Sequence, residues 1–325
     1  MRFGFCILRS IALCIFSKST SISPTLIIRF ARKIHSPSTP QIEGYLGTSP
    51  AGVPGNEAVA TVLKVGAGVS HVSVNDRVVT SKPSLGTWRE LAVVEGESVH
   101  AVPSSVNTTQ AALLGPSTGT ALRLLQDFAS LKKGDWIVQN AADSVVGSAV
   151  VSLAKARGIR TINTVADAEA VEAVKALGGD IVVPSEYLGT AAFKRLVADV
   201  PSPRLALNAV GGESATNLAR ALDQGGVLVT YGGEGRNGVT VPTSTLVTKD
   251  LTLRGFSYAS WASQASFEDR DAMVRELAAL VESGALATPA ASEFAFGDFP
   301  KALDAALAAH YRSGAGGGPR VVVNI

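Results

Sequence analysis

The run over residues 135–168, DWIVQNAADSVVGSAVVSLAKARGIRTINTVADA, limits the fold of this chain more than any other segment. Trp136–Gln139 reads as a strand, and a helix with one apolar face opens near Gly147 after a loop of small residues. Ile159–Val165 has the pattern of a second strand. An acidic residue, Asp167, follows the loop by about 20 positions, where such a residue meets an adenosine ribose. This order predicts a dinucleotide-binding βαβ unit.

Strands and helices continue to alternate beyond this unit as far as residue 283. The predicted strands are Asp180–Val183, Arg204–Ala209, Gly226–Tyr231 and Leu251–Phe256, and the predicted helices are Ala168–Leu177, Thr190–Ala198, Glu213–Leu222 and Glu268–Ser283. Alternation of this kind predicts an α/β fold with a doubly wound, mainly parallel sheet and helices on both faces.

The segment before this region has a different pattern, with short β-rich runs separated by Gly, Pro, Asn and Asp. Its predicted strands are Ala58–Val65, Arg77–Thr80 and Arg89–Val94. A last helix, Ala302–Ala309, and a last strand, Arg320–Asn324, are expected to rejoin this part of the chain. We therefore predict a smaller β-rich, barrel-like domain over 36–117 and 285–325, and a dinucleotide-binding domain over 118–284.

The first 42 residues carry six Lys or Arg residues and no Asp or Glu. They are also rich in Ser and apolar residues, as mitochondrial transit peptides are. We predict a leader over 1–35 and mitochondrial localisation, with a secretory or membrane segment and a wrongly assigned gene start as the alternatives. The apolar run Phe3–Phe16 is short and is interrupted by Arg9, so stable membrane insertion is not expected.

Charge and metal-binding residues exclude two other classes of function. A net charge of +2, with 17% charged residues, does not call for nucleic acid as a partner. Both cysteines, Cys6 and Cys14, lie in the predicted leader, and the histidines are scattered without ligand spacing. We therefore predict that the protein has no metal site.

Three loops of small residues follow predicted strands of the parallel sheet. The first is Ala141–Val146. With the next residue it forms an incomplete G-x-G-x-x-G fingerprint that reads Ala142-x-Ser144-x-x-Gly147. Val210-Gly-Gly212 and Tyr231-Gly-Gly233 follow the fourth and fifth strands. Because the carboxyl ends of parallel strands share one edge, these loops predict a bound nucleotide there.

Six segments along the chain match a known family, and they are GNEAVATVLKVG (55–66), GTWRELAV (86–93), IVQNAADSVVGSAVV (137–151), RLALNAVGG (204–212), GGVLVTYGG (225–233) and KDLTLRGF (249–256). They resemble the zinc-free medium-chain dehydrogenase/reductase superfamily, and most of all its mitochondrial 2-enoyl thioester reductases. Gly55-Asn56-Glu57 replaces the Gly-His-Glu of the zinc-dependent alcohol dehydrogenases. The resemblance implies a Rossmann sheet domain with a GroES-like catalytic domain.

The resemblance also implies NADPH-dependent reduction of a trans-2-enoyl thioester of CoA or acyl carrier protein in mitochondrial fatty acid synthesis. A homodimer through edge strands of the cofactor domains is implied as well. The family's proton donor is a tyrosine near the N-terminus, and Tyr45 is the candidate here. It stands one residue early, because Leu46 occupies the strict position of the family pattern.

The cofactor-binding residues that the resemblance implies fall in five groups along the chain. They are Asp143, Ser144, Val145, Val146 and Gly147 in the pyrophosphate loop, Tyr231, Gly232, Gly233 and Glu234 beside the nicotinamide, Phe256, Ser257 and Tyr258 in a further contact stretch, Ser117, and Arg320 near the C-terminus. Two of these depart from the family pattern, because Ser257 replaces a tryptophan and Ser117 an asparagine.

The residues after the second strand of the βαβ unit leave the choice of cofactor open. The family has Arg-Asp-Arg there, and its arginines hold the 2′-phosphate of NADPH. This chain has Ala166-Asp167-Ala168. The resemblance implies NADPH, with Lys194 or Arg195 as substitute cations, whereas an acidic residue without arginine points to NADH.

Two other functions stay open at the level of sequence. A quinone oxidoreductase would share the zinc-free, two-domain layout and would not need the same proton donor. A nucleotide-binding paralogue without activity is the second alternative. The family carries several strands before its tyrosine segment, and the predicted leader matches none of them, so the catalytic domain is expected to be incomplete at its N-terminus.

Overall fold

In a computed structural model, the chain forms two β-sheets with helices around them. The structure describes residues 25–34, 53, 55–83, 85–287, 291–298, 300–302, 304–305 and 320–324. Among these residues, no helix combines the length and the apolar character needed to cross a membrane.

The secondary-structure elements are numbered in chain order. The strands are β1 (Thr25–Ile34), β2 (Ala58–Val65), β3 (Arg77–Thr80), β4 (Leu91–Glu95), β5 (Val99–Ala101), β6 (Trp136–Gln139), β7 (Arg160–Val165), β8 (Ile181–Pro184), β9 (Leu205–Asn208), β10 (Val227–Thr230), β11 (Asn237–Val239), β12 (Thr252–Gly255), β13 (Ala291–Ala295) and β14 (Arg320–Asn324). The helices are α1 (Thr108–Ala112), α2 (Pro116–Gln126), α3 (Val145–Ala156), α4 (Ala170–Ala176), α5 (Ala191–Leu196), α6 (Gly212–Ala221), α7 (Thr243–Thr248), α8 (Tyr258–Gln264) and α9 (Phe267–Glu282). Short 3₁₀ turns lie at Gly96–Ser98, Ser185–Tyr187 and Phe296–Asp298.

The larger region is a six-stranded sheet in the order β12-β10-β9-β6-β7-β8, and all of its pairs are parallel. In this order the chain starts at β6, winds outward through β7 and β8, and then returns to β9 on the other side. The prediction of a doubly wound Rossmann sheet is therefore confirmed. The order reverses between β6 and β9, and such a switch point is where an open α/β sheet binds its ligand.

Burial on both faces explains why the strands of this sheet read as short apolar runs. Ile137 belongs to a core shared with α2, α3 and α9, whereas its neighbour Val138 packs with Leu218 of α6 on the opposite face. Both strand residues are fully buried. Because successive side chains of a strand point to opposite faces, a strand covered on both sides needs an apolar residue at each position.

The second sheet has the order β13-β14-β1-β2-β3-β5, and β4 also pairs with β1. Its pairs are antiparallel except for β13 with β14. The prediction of a smaller β-rich region beside the parallel sheet is thus confirmed, and the C-terminal strand β14 belongs to it.

Strand β1 corrects the predicted leader, which extended to residue 35. Thr25–Ile34 forms a ten-residue strand that pairs with β2 on one side and with β4 and β14 on the other. Leu26, Ile28 and Phe30 alternate along it and are at most 1% exposed. A period of two marks a half-buried strand, and the basic composition obscured it. Residues 1–24 lie outside the described part of the chain.

Three side-chain contacts join the two sheet regions near the N-terminal ends of α8 and α9. The Tyr258 hydroxyl donates to the Ser81 carbonyl (2.8 Å), and the buried Arg270 guanidinium donates to the Glu97 carbonyl (3.3 Å). His100 of β5 lies 3.1 Å from Asp271 through Nδ1. These contacts hold the helical layer against the β3–β5 edge.

Candidate active site

Two asparagines meet at the switch point of the parallel sheet. Asn140 follows β6 and donates from Nδ2 to Oδ1 of Asn208 (2.8 Å) and to Ser214 Oγ (2.9 Å), while its Oδ1 accepts from the Ala209 amide (2.7 Å). Asn208 Oδ1 also accepts from the Gly211 amide (3.0 Å). Both asparagine side chains are fully buried. The pair therefore ties together the loops after β6 and β9, which border the crevice.

The loop after β6 passes very close to helix α3 at the last position of the incomplete glycine fingerprint. A Cβ on Gly147 would lie 2.2 Å from the Ala141 carbonyl oxygen and 2.7 Å from the Ala142 Cα. Real Cβ atoms do not approach backbone this closely, so only glycine allows the packing of helix and strand. Gly147 stands at the third glycine position of the fingerprint, and in dinucleotide sites that glycine allows the helix and strand to pack closely.

The pyrophosphate loop leads directly into the N-terminus of α3. Ser144 is the N-cap, and its Oγ accepts from the Gly147 amide (3.0 Å). Val145 is buried in the first turn, and Asp143, Ser144 and Val146 are partly buried beside it. The amide groups of a first helical turn and the positive end of the helix dipole attract a phosphate group. The twelve-residue helix thus offers an anion-binding end to the crevice.

The loop after β10 lies against the same crevice. The Tyr231 amide donates to the Asn208 carbonyl (2.9 Å), and the Glu234 amide donates to the Ala209 carbonyl (2.9 Å). Gly232 lies between them, and a Cβ there would be 3.1 Å from the Ala209 carbonyl oxygen. Gly233 completes the loop and is partly buried. The loops after β6, β9 and β10 are therefore linked by direct hydrogen bonds.

The Tyr231 side chain closes this group of loops. Its ring packs beside Ala141 and Ala209, and its buried hydroxyl has no hydrogen bond of ordinary geometry among the described residues. Burial raises the pKa of Tyr231, and the nearby Glu234 and Asp143 carboxylates raise it further, against an opposing contact with Ser144. The hydroxyl is consequently a neutral donor that faces the pyrophosphate loop.

A second cluster joins the mainly antiparallel second sheet to helix α2. The Glu57 carboxylate is 1% exposed and accepts from both the backbone amide and the hydroxyl of Ser117, the latter at 2.6 Å. Its charge faces the N-terminus of α2, where a carboxylate is stabilised by the helix dipole. Burial raises the pKa of Tyr258, and the Glu57 carboxylate raises it further. Ser117 and Tyr258 therefore belong to one interdomain cluster.

The other residues of the further contact stretch face different surroundings. The Phe256 ring packs edge-on against Phe128, with 5.8 Å between the ring centres. Ser257 is exposed and caps α8 by accepting from the Ser260 amide (3.3 Å). These contacts position the segment after β12. Its role in cofactor binding stays a prediction.

Two of the predicted site residues lie apart from the loops described above. Asp167 follows β7 at the same edge of the sheet, and its Oδ1 accepts from the Glu169 amide (3.0 Å). The backbone of Arg320 begins β14 in the mainly antiparallel second sheet, in register with Ala291. Tyr45, the proposed proton donor, lies outside the described residues.

The residues at the switch point fit a dinucleotide. They supply a loop that only glycine can complete at Gly147, a helix N-terminus, and the buried hydroxyl of Tyr231. Elsewhere in the described ranges, no group of three His, Cys, Asp or Glu residues is arranged to hold a metal ion.

The asparagine pair is the part of the site that the sequence analysis missed. Asn140 and Asn208 each stand at the carboxyl end of a predicted strand, next to a small-residue loop. Polar residues at that position are unusual for strands buried on both faces. The sequence therefore contained a sign of the pair, because both predicted strands end at the edge where a nucleotide is expected to bind.

The zinc-binding dehydrogenase family model matches residues 145–279. The mitochondrial enoyl-[acyl-carrier-protein] reductase of Dictyostelium discoideum is 46% identical over 242 residues, which cover 71% of this chain and 69% of the relative. The human protein of the same name is 41% identical over 268 residues, covering 81% of this chain and 72% of the relative.

Solved structures agree on the fold. The Etr1p/Etr2p heterodimer of mitochondrial 2-enoyl thioester reductase from Candida tropicalis has a TM-score of 0.81 at 24% identity, covering 94% of this chain and 92% of that chain. A complex of Etr1p with NADP and crotonyl-CoA has a TM-score of 0.82 at 23% identity, with 95% and 93% covered. The Escherichia coli quinone oxidoreductase bound to NADPH has a TM-score of 0.80 at 22% identity, with 95% and 94% covered. On the sequence identities above, this chain belongs to the mitochondrial enoyl-[acyl-carrier-protein] reductase family, in the zinc-free branch of the medium-chain dehydrogenases/reductases.

Proposed function

We propose that this protein reduces the C2–C3 double bond of trans-2-enoyl thioesters, carried by CoA or acyl carrier protein, to the saturated thioester. The observation that carries the proposal is the switch-point crevice, where three loops and the α3 N-terminus fit a dinucleotide in a chain of this family. The relatives are named as mitochondrial, which supports a role in mitochondrial fatty acid synthesis.

The binding steps follow from the geometry of the crevice. The first turn of α3 binds the pyrophosphate, and Gly147 lets this helix pack closely against the loop that leads into it. The Asn140–Asn208 pair fixes the loop conformation before the nucleotide arrives, so little ordering remains to be done on binding. The Tyr231 loop limits the crevice on the nicotinamide side.

The reaction needs a hydride donor and a proton donor. The reduced nicotinamide, when bound, supplies the hydride to C3 of the substrate, and we assign the proton delivered to C2 to Tyr45. The negative charge that develops on the thioester oxygen requires donors near the carbonyl. As cofactor we propose a reduced nicotinamide dinucleotide. The family resemblance implies NADPH, and a similar Etr1p structure is a complex with NADP. NADH is the alternative that Ala166-Asp167-Ala168 leaves open.

A second copy of this chain is the proposed partner of the β12 edge. All four residues of β12 are exposed, and the strand has no neighbour on its outer side within the described residues. Leu253 of β12 is 45% exposed, Val247 of α7 is 71% exposed, and Val239 of β11 is 43% exposed. An unpaired edge beside apolar side chains is a template for strand pairing. The similar Candida structure is named as a dimer.

Steady-state oxidation of NADPH with crotonyl-CoA tests the proposed activity. We expect turnover with butyryl-CoA as product, and we expect Tyr45→Phe to lower kcat by at least about 100-fold. Tyr187→Phe is the matched control, because the Tyr187 ring packs against Phe193 and Tyr187 has no role in the proposed reaction. Turnover of quinones without any thioester reduction would favour the quinone oxidoreductase alternative, and tight nucleotide binding without turnover would favour a paralogue without activity.

A further inference from the structure

We infer that Asp167 holds the adenosine ribose hydroxyls and excludes a 2′-phosphate, so that this chain binds NADH at least as tightly as NADPH. The inference rests on the proposed nicotinamide-dependent function and concerns the adenosine end of the same crevice. It follows from the position of Asp167, from the charges around it, and from the positions of the nearest cations.

The position of Asp167 is fixed by the parallel sheet. Val165, the last residue of β7, is in register with Pro184, the last residue of β8, so Asp167 lies just beyond the carboxyl ends of both strands. Its Oδ1 accepts from the Glu169 amide (3.0 Å), which orients the carboxylate. A carboxylate has acceptor capacity on its second oxygen, which suits a vicinal pair of hydroxyl donors.

The charges around Asp167 oppose a phosphate. Two further carboxylates, those of Glu169 and Glu186, follow the carboxyl ends of β7 and β8. Glu169 is exposed in the same loop, and Glu186 stands two residues beyond Pro184 as Asp167 stands two beyond Val165. A 2′-phosphate would therefore meet carboxylates at this edge, where charges within a few ångströms of each other repel strongly.

The cations closest to Asp167 in the sequence do not lie at this edge of the sheet. Lys175 lies in the last turn of α4 and pairs with Glu172 (2.8 Å). Arg160 pairs with Asp180 (2.5 Å) at the opposite ends of β7 and β8. The Arg160 guanidinium and the Lys175 ammonium group therefore do not lie at the carboxyl ends of β7 and β8.

The substitute cations considered from the sequence lie at the wrong edge. Lys194 and Arg195 occupy the last turn of α5, which runs antiparallel to the strands and ends where the chain enters β9. Lys194 lines a cavity of about 300 Å³ together with Pro203 and Lys249, which precede β9 and β12. Asp167 follows β7, at the other edge of the sheet. The two-pronged arginine contact that favours a 2′-phosphate is therefore not built from α5.

Direct binding of the two reduced nucleotides tests the inference without requiring turnover. Titration of the full chain with NADH and with NADPH, followed by fluorescence quenching, should give a Kd for NADH that equals or is below that for NADPH. NADPH binding about tenfold tighter than NADH, or more, would overturn the inference.

A charge-reversing variant sharpens the result. Asp167→Ser combined with Ala168→Arg should shift the ratio of the two Kd values towards NADPH by at least about tenfold. Ala176→Arg is the matched control, because Ala176 is exposed at the far end of α4, and it should leave the ratio unchanged. An equal shift in both variants would point to general charge and contradict a role of Asp167.

The outcomes separate this inference from the proposed function. If both nucleotides bind with the expected ratio but crotonyl-CoA is never reduced, the inference stands and the proposed reaction fails. If NADPH alone binds and supports reduction, the proposed function stands and the inference fails. If neither nucleotide binds, both fail.

Discussion

Asn140 donates a hydrogen bond to Asn208 across the centre of the parallel sheet, with 2.8 Å between Nδ2 and Oδ1. The two residues end the strands between which the winding of the sheet reverses. Together they bind the backbone amides of Ala209 and Gly211, so the shape of both crevice loops depends on one buried pair. Preorganised loops are what a nucleotide site needs, because ordering them on binding would lower affinity.

Replacing Asn140 with Ala should weaken both folding and nucleotide binding. The Ala209 amide would lose its acceptor inside the protein, and a buried group without a partner costs about 1–3 kcal/mol. We expect a loss of stability in that range by urea unfolding, and a Kd for nucleotide at least about tenfold higher by fluorescence titration. Ser214→Ala removes one bond of the same network and should have a smaller effect on both. Wild-type affinity in the Asn140 variant would contradict the role of the pair.

Gly147→Ala should abolish nucleotide binding while the protein still folds. The added methyl group would overlap the Ala141 carbonyl oxygen, at 2.2 Å, and would push α3 away from the loop that binds the pyrophosphate. Gly238→Ala is the matched control, since a Cβ at Gly238 meets nothing within 4 Å. Calorimetric titration of each variant with the reduced nucleotides checks the prediction. Equal affinities for the two variants would show that the close contact at Gly147 is not needed.

The His100 contacts predict that stability falls as the pH is lowered through the acid range. Burial lowers the pKa of His100 to about 4, although the facing Asp271 opposes this, while Arg270 and His71 add to it. Nε2 of the His100 ring is hydrogen-bonded to Ser81 Oγ (2.8 Å), and the ring stacks on Phe267 with 4.7 Å between the ring centres. The unfolded chain therefore binds a proton between its pKa of about 6.5 and about 4, where the folded protein does not.

From this difference, His100 should remove on the order of 3 kcal/mol of stability as the pH falls from about 6.5 to about 4. No further loss from this group follows below its folded pKa. Urea unfolding at a series of pH values gives the slope, and His100→Asn should flatten it in this window. An unchanged slope in the variant would assign the pH dependence to other groups.

Leu253→Lys should convert the proposed dimer to a monomer. A lysine on the exposed β12 edge places a charge where a second strand would pair, and such residues protect natural edges from association. Sedimentation equilibrium measures the mass directly. Val93→Lys, at a 53% exposed position of β4, is the matched control and should remain dimeric. A wild-type protein that sediments as a monomer would refute the edge-strand dimer.

Local patterns were sufficient to predict most of the parallel sheet. Trp136–Gln139 was predicted with the bounds of β6, because strands buried on both faces are short apolar runs that end in small-residue loops. Strand β1 was missed for the opposite reason. Leu26, Ile28 and Phe30 alternate along this strand, but they stand among basic residues. The basic composition indicates a leader, and it obscured the period of two that indicates a strand.

The contacts within the candidate site were less predictable than its loops. Ser117 and Tyr258 were assigned to the cofactor by resemblance, yet Ser117 bonds Glu57 and Tyr258 bonds Ser81 across the interface of the two sheets. Partners this distant in sequence carry no local signal, because each depends on how the two regions pack. The asparagine pair, in contrast, had a local signal, because Asn140 and Asn208 are polar residues at the carboxyl ends of two predicted strands.

The path of the hydride tests the proposed reaction most directly. Crotonyl-CoA would be reduced with NADPH or NADH that carries deuterium at the transferable C4 position, and the product analysed by NMR. The account predicts butyryl-CoA with one deuterium at C3, and solvent-derived hydrogen at C2. Absence of saturated product, or a product without deuterium at C3, would contradict it.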